Sequence, residues 1–166
     1  MSILPKEIYK ICLESLPIIS VDVLLFNHSL DKILLFKRTN KPIKGVFYSL
    51  GGRILKNENT IDTAIRKLEE EANIIVTNKN DLFLGGITEE CFKGSIYESV
   101  DTHNINIFFG YIVDNNIKIK VDKQHSEHQW FPLNFHDLHP QITHKINMIH
   151  KTDYFLYKYG IINVSE

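Results

Sequence analysis

A glycine pair feeding a carboxylate-rich helix is the feature that most constrains this chain. Gly51-Gly52 is followed by Arg53-Ile54-Leu55-Lys56-Asn57-Glu58. Farther on, Arg66 leads into Lys67-Leu68-Glu69-Glu70-Glu71-Ala72-Asn73-Ile74. Thr60 suits an N-cap, and Ile61, Ala64, Ile65, Leu68 and Ala72 recur at helical spacing as one apolar stripe. At about 100° per residue, Glu70, Lys67 and Glu71 fan across an adjacent flank, with Lys67 between the two acids. Oxygen ligands on such a flank suit Mg²⁺, which takes few carboxylates and keeps waters and substrate phosphates as its other ligands. Glu71 borders the apolar stripe and is the better ligand. Glu70 points toward solvent. The ordinary alternative is a surface helix with Arg66–Glu70 and Lys67–Glu71 pairs, each worth about 0.2–0.5 kcal/mol. The matched spacing of the glycines, Glu58 and Arg66 favours a functional site over that alternative.

Composition narrows the partners. The chain has 166 residues, enough for one domain with a real core, and its net charge of −1 offers no electrostatic footprint for nucleic acid or an anionic membrane. Cys12 and Cys91 are too few for a disulfide framework. No apolar run approaches a membrane span, and the first residues lack the pattern of a signal peptide. The expectation is a cytoplasmic single domain over residues 1–166.

The element pattern alternates strands and helices. A short amphipathic helix is predicted over Ser2–Leu16, with Thr60–Ala72 as the acid-rich helix and Gln141–Lys158 closing the chain with Ile142, Ile146, Ile149 and Phe155 inward. Strands are predicted at Ile18–Phe26, Lys32–Arg38, Val46–Leu50, Ile74–Thr77, Leu82–Cys91, Asn104–Val113, Ile117–Val121 and His128–Phe131. Asp122–Glu127 reads as an exposed loop, and Asn134–Leu138 as a helical turn. This order fits an α/β (α+β) fold, a mixed central β-sheet with helices on both faces.

The glycine-to-helix run resembles the Nudix box, G-x5-E-x7-R-E-U-x-E-E-x-G-U with U aliphatic, over about residues 52–74. Lys67 stands where that pattern has glutamate, and Asn73 where it has glycine. With Ser20-Val21-Asp22, Lys37-Arg38-Thr39-Asn40-Lys41-Pro42, Leu50-Gly51-Gly52-Arg53 and Gln124-His125, the chain is similar to the GDP-mannose mannosyl hydrolase branch. The similarity runs from roughly Ser15 to Phe131. It implies a Nudix-like α/β/α sandwich, a homodimer, and a nucleotide-sugar substrate rather than nucleic acid or membrane. In that branch water attacks the anomeric carbon and releases intact GDP. Carried over by position, Gly51 (backbone carbonyl), Glu71 and Gln124 would hold Mg²⁺, or Mn²⁺ in its place, with Glu70 a weaker candidate. His125 would be the general base. Arg38 and Arg53 would bind the diphosphate, and Asp22 would position the sugar or nucleotide. Arg66 would brace the box through Glu58. Glu89 stands where the branch has a substrate-facing histidine, and Asn104 where it has a tyrosine. His103 closes a loop near the expected substrate side.

The chemistry is coherent on physical grounds. Mg²⁺ and two guanidiniums make a diphosphate a workable leaving group. An oxocarbenium-like carbon needs only a modest base to orient water, and an imidazole titrating near pH 6.5 suits that task. Lys67 cancels one negative charge, so one essential metal is expected rather than two or three. Two other functions stay open: an ordinary Nudix pyrophosphohydrolase that cleaves P–O, and a non-catalytic nucleotide-sugar binding domain. His28, His136, His139, His144 and His150 read as surface residues, and Phe47 and Tyr48 as core.

Overall fold

The computed structural model describes residues 4–97 and 99–152. Its elements are α1 (Lys6–Ser15), β1 (Ile18–Phe26), β2 (Lys32–Arg38), β3 (Phe47–Tyr48), β4 (Leu50–Arg53), α2 (Thr60–Ala72), a 3-10 turn (Lys79–Asp81), β5 (Phe83–Phe92), β6 (Thr102–Ile112), β7 (His125–Pro132) and α3 (Pro140–Ile149). The strands form one sheet in the order β3-β2-β1-β6-β5, with β4 also on β1 and β7 on β2. β1 and β6 run parallel, and the other pairs are antiparallel. The expected mixed sheet is present.

β1 positions the site. One edge of β1 pairs with β6 from Ile18 to Phe26. Its other edge is shared: Ser20–Val23 pair with β4, whereas Leu25 and Phe26 pair with β2. β2 and β4 therefore diverge from a common strand. Alternation along β1 serves two cores, because successive side chains leave opposite faces. Val21, Val23 and Leu25 pack under Ala64 and Leu68 of α2. Leu24 and Phe26 pack with Phe108 and with Ile142, Ile146 and Ile149 of α3. Burying each such side chain is worth about 1.5–3 kcal/mol, so both layers are anchored by apolar contact.

The box helix is built from local chemistry. Asn59, not Thr60, is its N-cap, and its side chain accepts from the Asp62 N–H at 2.8 Å. Asparagine holds an extended backbone there (φ −87°, ψ 168°) while its oxygen reaches the first turn. At the other end Asn73 is left-handed (φ 56°, ψ 35°), and the Asn73 and Ile74 N–H groups bond Glu69 O and Leu68 O. Asparagine tolerates that conformation in place of the glycine common at helix ends.

Several expected boundaries move. α1 starts at Lys6, after Pro5, and residues 1–3 lie outside the described residues. The Val46–Leu50 strand divides into β3 and β4. Residues 74–77 form no strand, because the chain leaves α2 through the left-handed turn and buries Ile74 beneath it. Residues 117–121 do not join the sheet either. They run along the end of α2, where Lys120 and Asp122 N–H groups donate to Ala72 O and Glu71 O. Residues 134–138 are turns rather than a helical turn. The expected helix Gln141–Lys158 is shorter: α3 runs Pro140–Ile149 and residues 150–152 turn out of it, while Phe155 lies outside the described residues from 153 onward. No helix among the described residues is long and apolar enough to cross a membrane.

Candidate active site

Three chain segments meet at the carboxylate of Glu71. Gly51 of β4 donates its N–H to Oε2 at 3.1 Å, and Gln124, just before β7, brings Nε2 to 3.4 Å from Oε1. Lys67 Nζ lies 2.5 Å from the same Oε1. Glu71 is 2% exposed, and burial raises its pKa while the neighbouring Lys67 charge lowers it. Glu70, with its side chain half exposed, pairs with Arg66 at 3.1 Å and Lys67 at 3.3 Å. The glycines are needed for close approach. A methyl at Gly51 would collide with the Asp22 carboxylate, and one at Gly52 would press on the Lys67 stem at 3.1 Å.

Arg66 and Glu58 clamp the loop between β4 and α2. Arg66 Nε and Nη2 donate to the two Glu58 oxygens at 2.6 and 2.9 Å, and Nη2 also reaches Arg53 O at 3.3 Å. Glu58 further accepts from Leu55 N–H and Thr63 Oγ1. The Arg66 hydrogen bonds pull its pKa down to about 2. This is the bracing role expected of Arg66.

A cavity of about 230 Å³ opens beside the Glu71 junction. Asp22, Arg38, Arg53, Gly51 and Gln124, all anticipated from the sequence, line it. The Arg53 guanidinium rests 4.7 Å from the Tyr9 ring, so α1 walls one side. Glu71 is reached through Gly51 and Gln124.

The chain matches the NUDIX domain over residues 16–151. The chain belongs to the Nudix family. The low-salt glycan biosynthesis protein Agl8 of Haloferax volcanii is 28% identical to this Nudix chain over 140 residues, covering 84% of this chain and 86% of that protein. A MutT NUDIX hydrolase of Burkholderia pseudomallei superposes with a TM-score of 0.64 at 18% identity, covering 80% of this chain and 98% of that one. The NUDIX domain of Shewanella oneidensis NrtR, solved with ADP ribose, gives a TM-score of 0.62 at 18% identity, covering 87% and 96%. The structural likenesses carry the fold.

Nudix hydrolases generally use divalent ions such as Mg²⁺ or Mn²⁺, and the donor chemistry here fits one. The Glu71 carboxylate and the adjacent Asp122 carboxylate are hard oxygen donors, held together by the Gln124 amide N–H, and the other end of that amide carries a third oxygen. The Lys67 ammonium already occupies one oxygen of the Glu71 carboxylate, so a metal ion would share that acid with it.

Tertiary structure revises three expectations of this Nudix site. Glu89 and His103 do not line the cavity. They sit on the other face of the β5–β6 pair, bonded to each other at 2.8 Å, and Glu90 and Asn104 occupy the cavity side. The loop expected to expose Gln124-His125 is strand at His125, which is only 4% exposed. His125 Nδ1 lies 2.9 Å from Asp122 Oδ1, and Nε2 is buried without a partner and does not border the cavity. Burial lowers the His125 pKa, with Asp122 opposing the shift.

A buried charge cluster forms the cavity floor. Lys145 Nζ lies 2.6 Å from both Asp22 Oδ2 and Glu90 Oε1. Ser49 donates to Asp22, and Tyr48 to Glu90. Burial and the Asp22 charge raise the Glu90 pKa against the pull of Lys145. Asn106 donates to Ser20 Oγ at 2.9 Å, and its Oδ1 is buried with no partner. Glu90, Asn106 and Lys145 are not among the site residues expected from the sequence. The available signal was Lys145 at the inward spacing of Ile142, Ile146 and Ile149, since a cation on an apolar stripe needs a buried partner.

Proposed function

We propose that this chain is a divalent-metal-dependent Nudix hydrolase of nucleotide sugars, of the GDP-mannose type, cleaving at the anomeric carbon. One observation carries the reading: a single cavity joins two cations, Arg38 and Arg53, to a floor of buried acceptors, Asp22, Glu90 and Asn106. The cations suit a diphosphate. The acceptors suit a ring bearing several hydroxyl donors. The similarity to a glycan biosynthesis protein supports the sugar end.

In this proposal the Gly51 carbonyl, Glu71 and Gln124 hold the metal, with Glu70 at its margin. A bound Mg²⁺, or Mn²⁺, would neutralise charge on the departing diphosphate. Asp22, Glu90 and Asn106 orient the hexose, and Arg38 and Arg53 hold the diphosphate. A water oxygen bonds to the anomeric carbon as the carbon–oxygen bond to the diphosphate breaks. The leaving oxygen keeps the electron pair, and His125 Nε2 accepts the water proton. That step requires residues 122–126 to open, since Nε2 is enclosed. A cytoplasmic homodimer is part of the proposal, and the exposed Ile8, Ile11 and Leu16 of the N-terminal segment offer apolar surface for it.

The enclosure of His125 favours a second reading, a P–O pyrophosphohydrolase in which Glu71 and its metal act without that base. The Lys67 ammonium on Glu71 favours a third, a binding domain without turnover. GDP-mannose with Mg²⁺ in ¹⁸O-labelled water separates them. The proposal expects GDP and labelled mannose; GMP with mannose 1-phosphate supports the second reading, and stabilisation by ligand without turnover the third.

A further inference from the structure

Glu89, Cys91 and His103 point to a site that the cavity does not use. β5 and β6 are antiparallel, with Cys91 opposite His103 and Glu89 opposite Ile105, so these side chains leave one face of the sheet. That face turns away from Asp22 and Glu90. One ligand atom from each residue, a carboxylate oxygen, a thiol sulfur and an imidazole nitrogen, lies within 4.8 Å of the other two. Cys91 and His103 also border an open groove of about 670 Å³ beside the end of α1.

We propose that Glu89, Cys91 and His103 form a three-ligand Zn²⁺ site completed by water. Typical lengths are about 2.3 Å to sulfur, 2.0–2.1 Å to imidazole nitrogen and 2.0–2.2 Å to carboxylate oxygen. A tetrahedral ion therefore wants its ligand atoms about 3.3–3.8 Å apart. Rotation of exposed side chains supplies the remaining closure, and Glu89 and Cys91 are both exposed. The backbone register already does the rest, because two ligands two residues apart on one strand face a third across the ladder. Sulfur and nitrogen donors select a borderline ion such as Zn²⁺ and disfavour Mg²⁺, so this site is chemically distinct from the Glu71 junction. On coordination the Cys91 thiol proton leaves to solvent, so affinity falls as pH falls. The bound ion would tie β5, the terminal strand in the sheet order, to β6.

The test is titration of the reduced full-length chain with Co²⁺ in excess Mg²⁺. The expected result is one Co²⁺ per chain, with a thiolate-to-metal charge-transfer band and the visible bands of a tetrahedral ion, displaced by Zn²⁺. Cys91→Ser should abolish the charge-transfer band and His103→Ala should lose the tetrahedral spectrum, whereas Glu71→Gln and Cys12→Ser should keep both. No charge-transfer band in the wild-type chain, a band surviving Cys91→Ser, or a band lost in Glu71→Gln would each overturn the proposal. The site stands apart from the hydrolase reading, and no arm of this test depends on turnover.

Discussion

Lys67 Nζ lies 2.5 Å from Oε1 of Glu71 and 3.3 Å from Oε2 of Glu70, so one nearly buried ammonium bridges these two acids of the box helix. In the Nudix box this position carries a third carboxylate. The substitution inverts the local charge and sets a tethered cation against the acid best placed to hold a metal.

Lys67→Met should make stability depend on metal. Removing one partner of a buried pair typically costs about 3–5 kcal/mol, because the remaining charge is left uncompensated. A divalent ion that binds only the folded protein should restore part of that loss. Thermal melts with and without Mg²⁺ check this. An equal loss in both would show that no ion takes the place of the ammonium.

The general base should give a low-pH limb in kcat/KM. Burial lowers the His125 pKa, so the neutral ring persists to below the ordinary value near 6.5. Activity should fall only as pH drops through that lowered value. Asp122→Asn removes the carboxylate that opposes the shift and should move the limb lower still. His125→Ala should reduce kcat by about 10²- to 10⁴-fold. A pH–rate series on the three proteins reads all of this, and an acid limb above pH 6.5 would contradict the assignment.

Arg66→Ala should cost about 1.5–3 kcal/mol, the usual worth of hydrogen bonds to a charged group. It should also flatten the acid limb of stability. Glu58 has a folded pKa of about 2 against an ordinary 4.5. Its contribution is therefore present above pH 4.5 and lost as pH falls toward 2. Urea unfolding between pH 2 and 6 should show a steeper decline in wild type than in the variant.

Lys145→Met should destabilise the fold by about 3–5 kcal/mol, because Asp22 and Glu90 lose their shared cation. The double variant Lys145→Met/Glu90→Gln should recover part of the loss by removing one of the stranded charges. Chemical denaturation of the two variants measures the difference. Equal stability of single and double variants would mean that Glu90 draws nothing from Lys145.

Glu89 shows where local reading slips by one residue. The β5–β6 register shifts between Leu84 and Gly86, with Gly86 at φ +147°. A one-residue shift exchanges the two faces of a strand, so Glu90 takes the cavity side and Glu89 joins Cys91 and His103. His125 departs from its expected exposed loop for a related reason. Residues 122–127 form a polar run with the composition of a loop, yet β7 begins inside it at His125, where Arg38 of β2 pairs and the His125 ring packs against Phe36.

The sequence by itself determined the features that rest on spacing along one element. These are the box helix, the inward position of Glu71 against the outward one of Glu70, the Arg66–Glu58 brace, Lys67 between two acids, and an asparagine able to end the helix left-handed. A helix repeats every 3.6 residues, so neighbours on its surface can be counted along the chain. Only the tertiary structure decided the rest. Lys145 reaches Asp22 across 123 residues, the β5 bulge chooses between Glu89 and Glu90, and sheet pairing encloses His125. Those outcomes depend on which strands meet and in what register, and that is settled by burial of two apolar cores rather than by any local pattern.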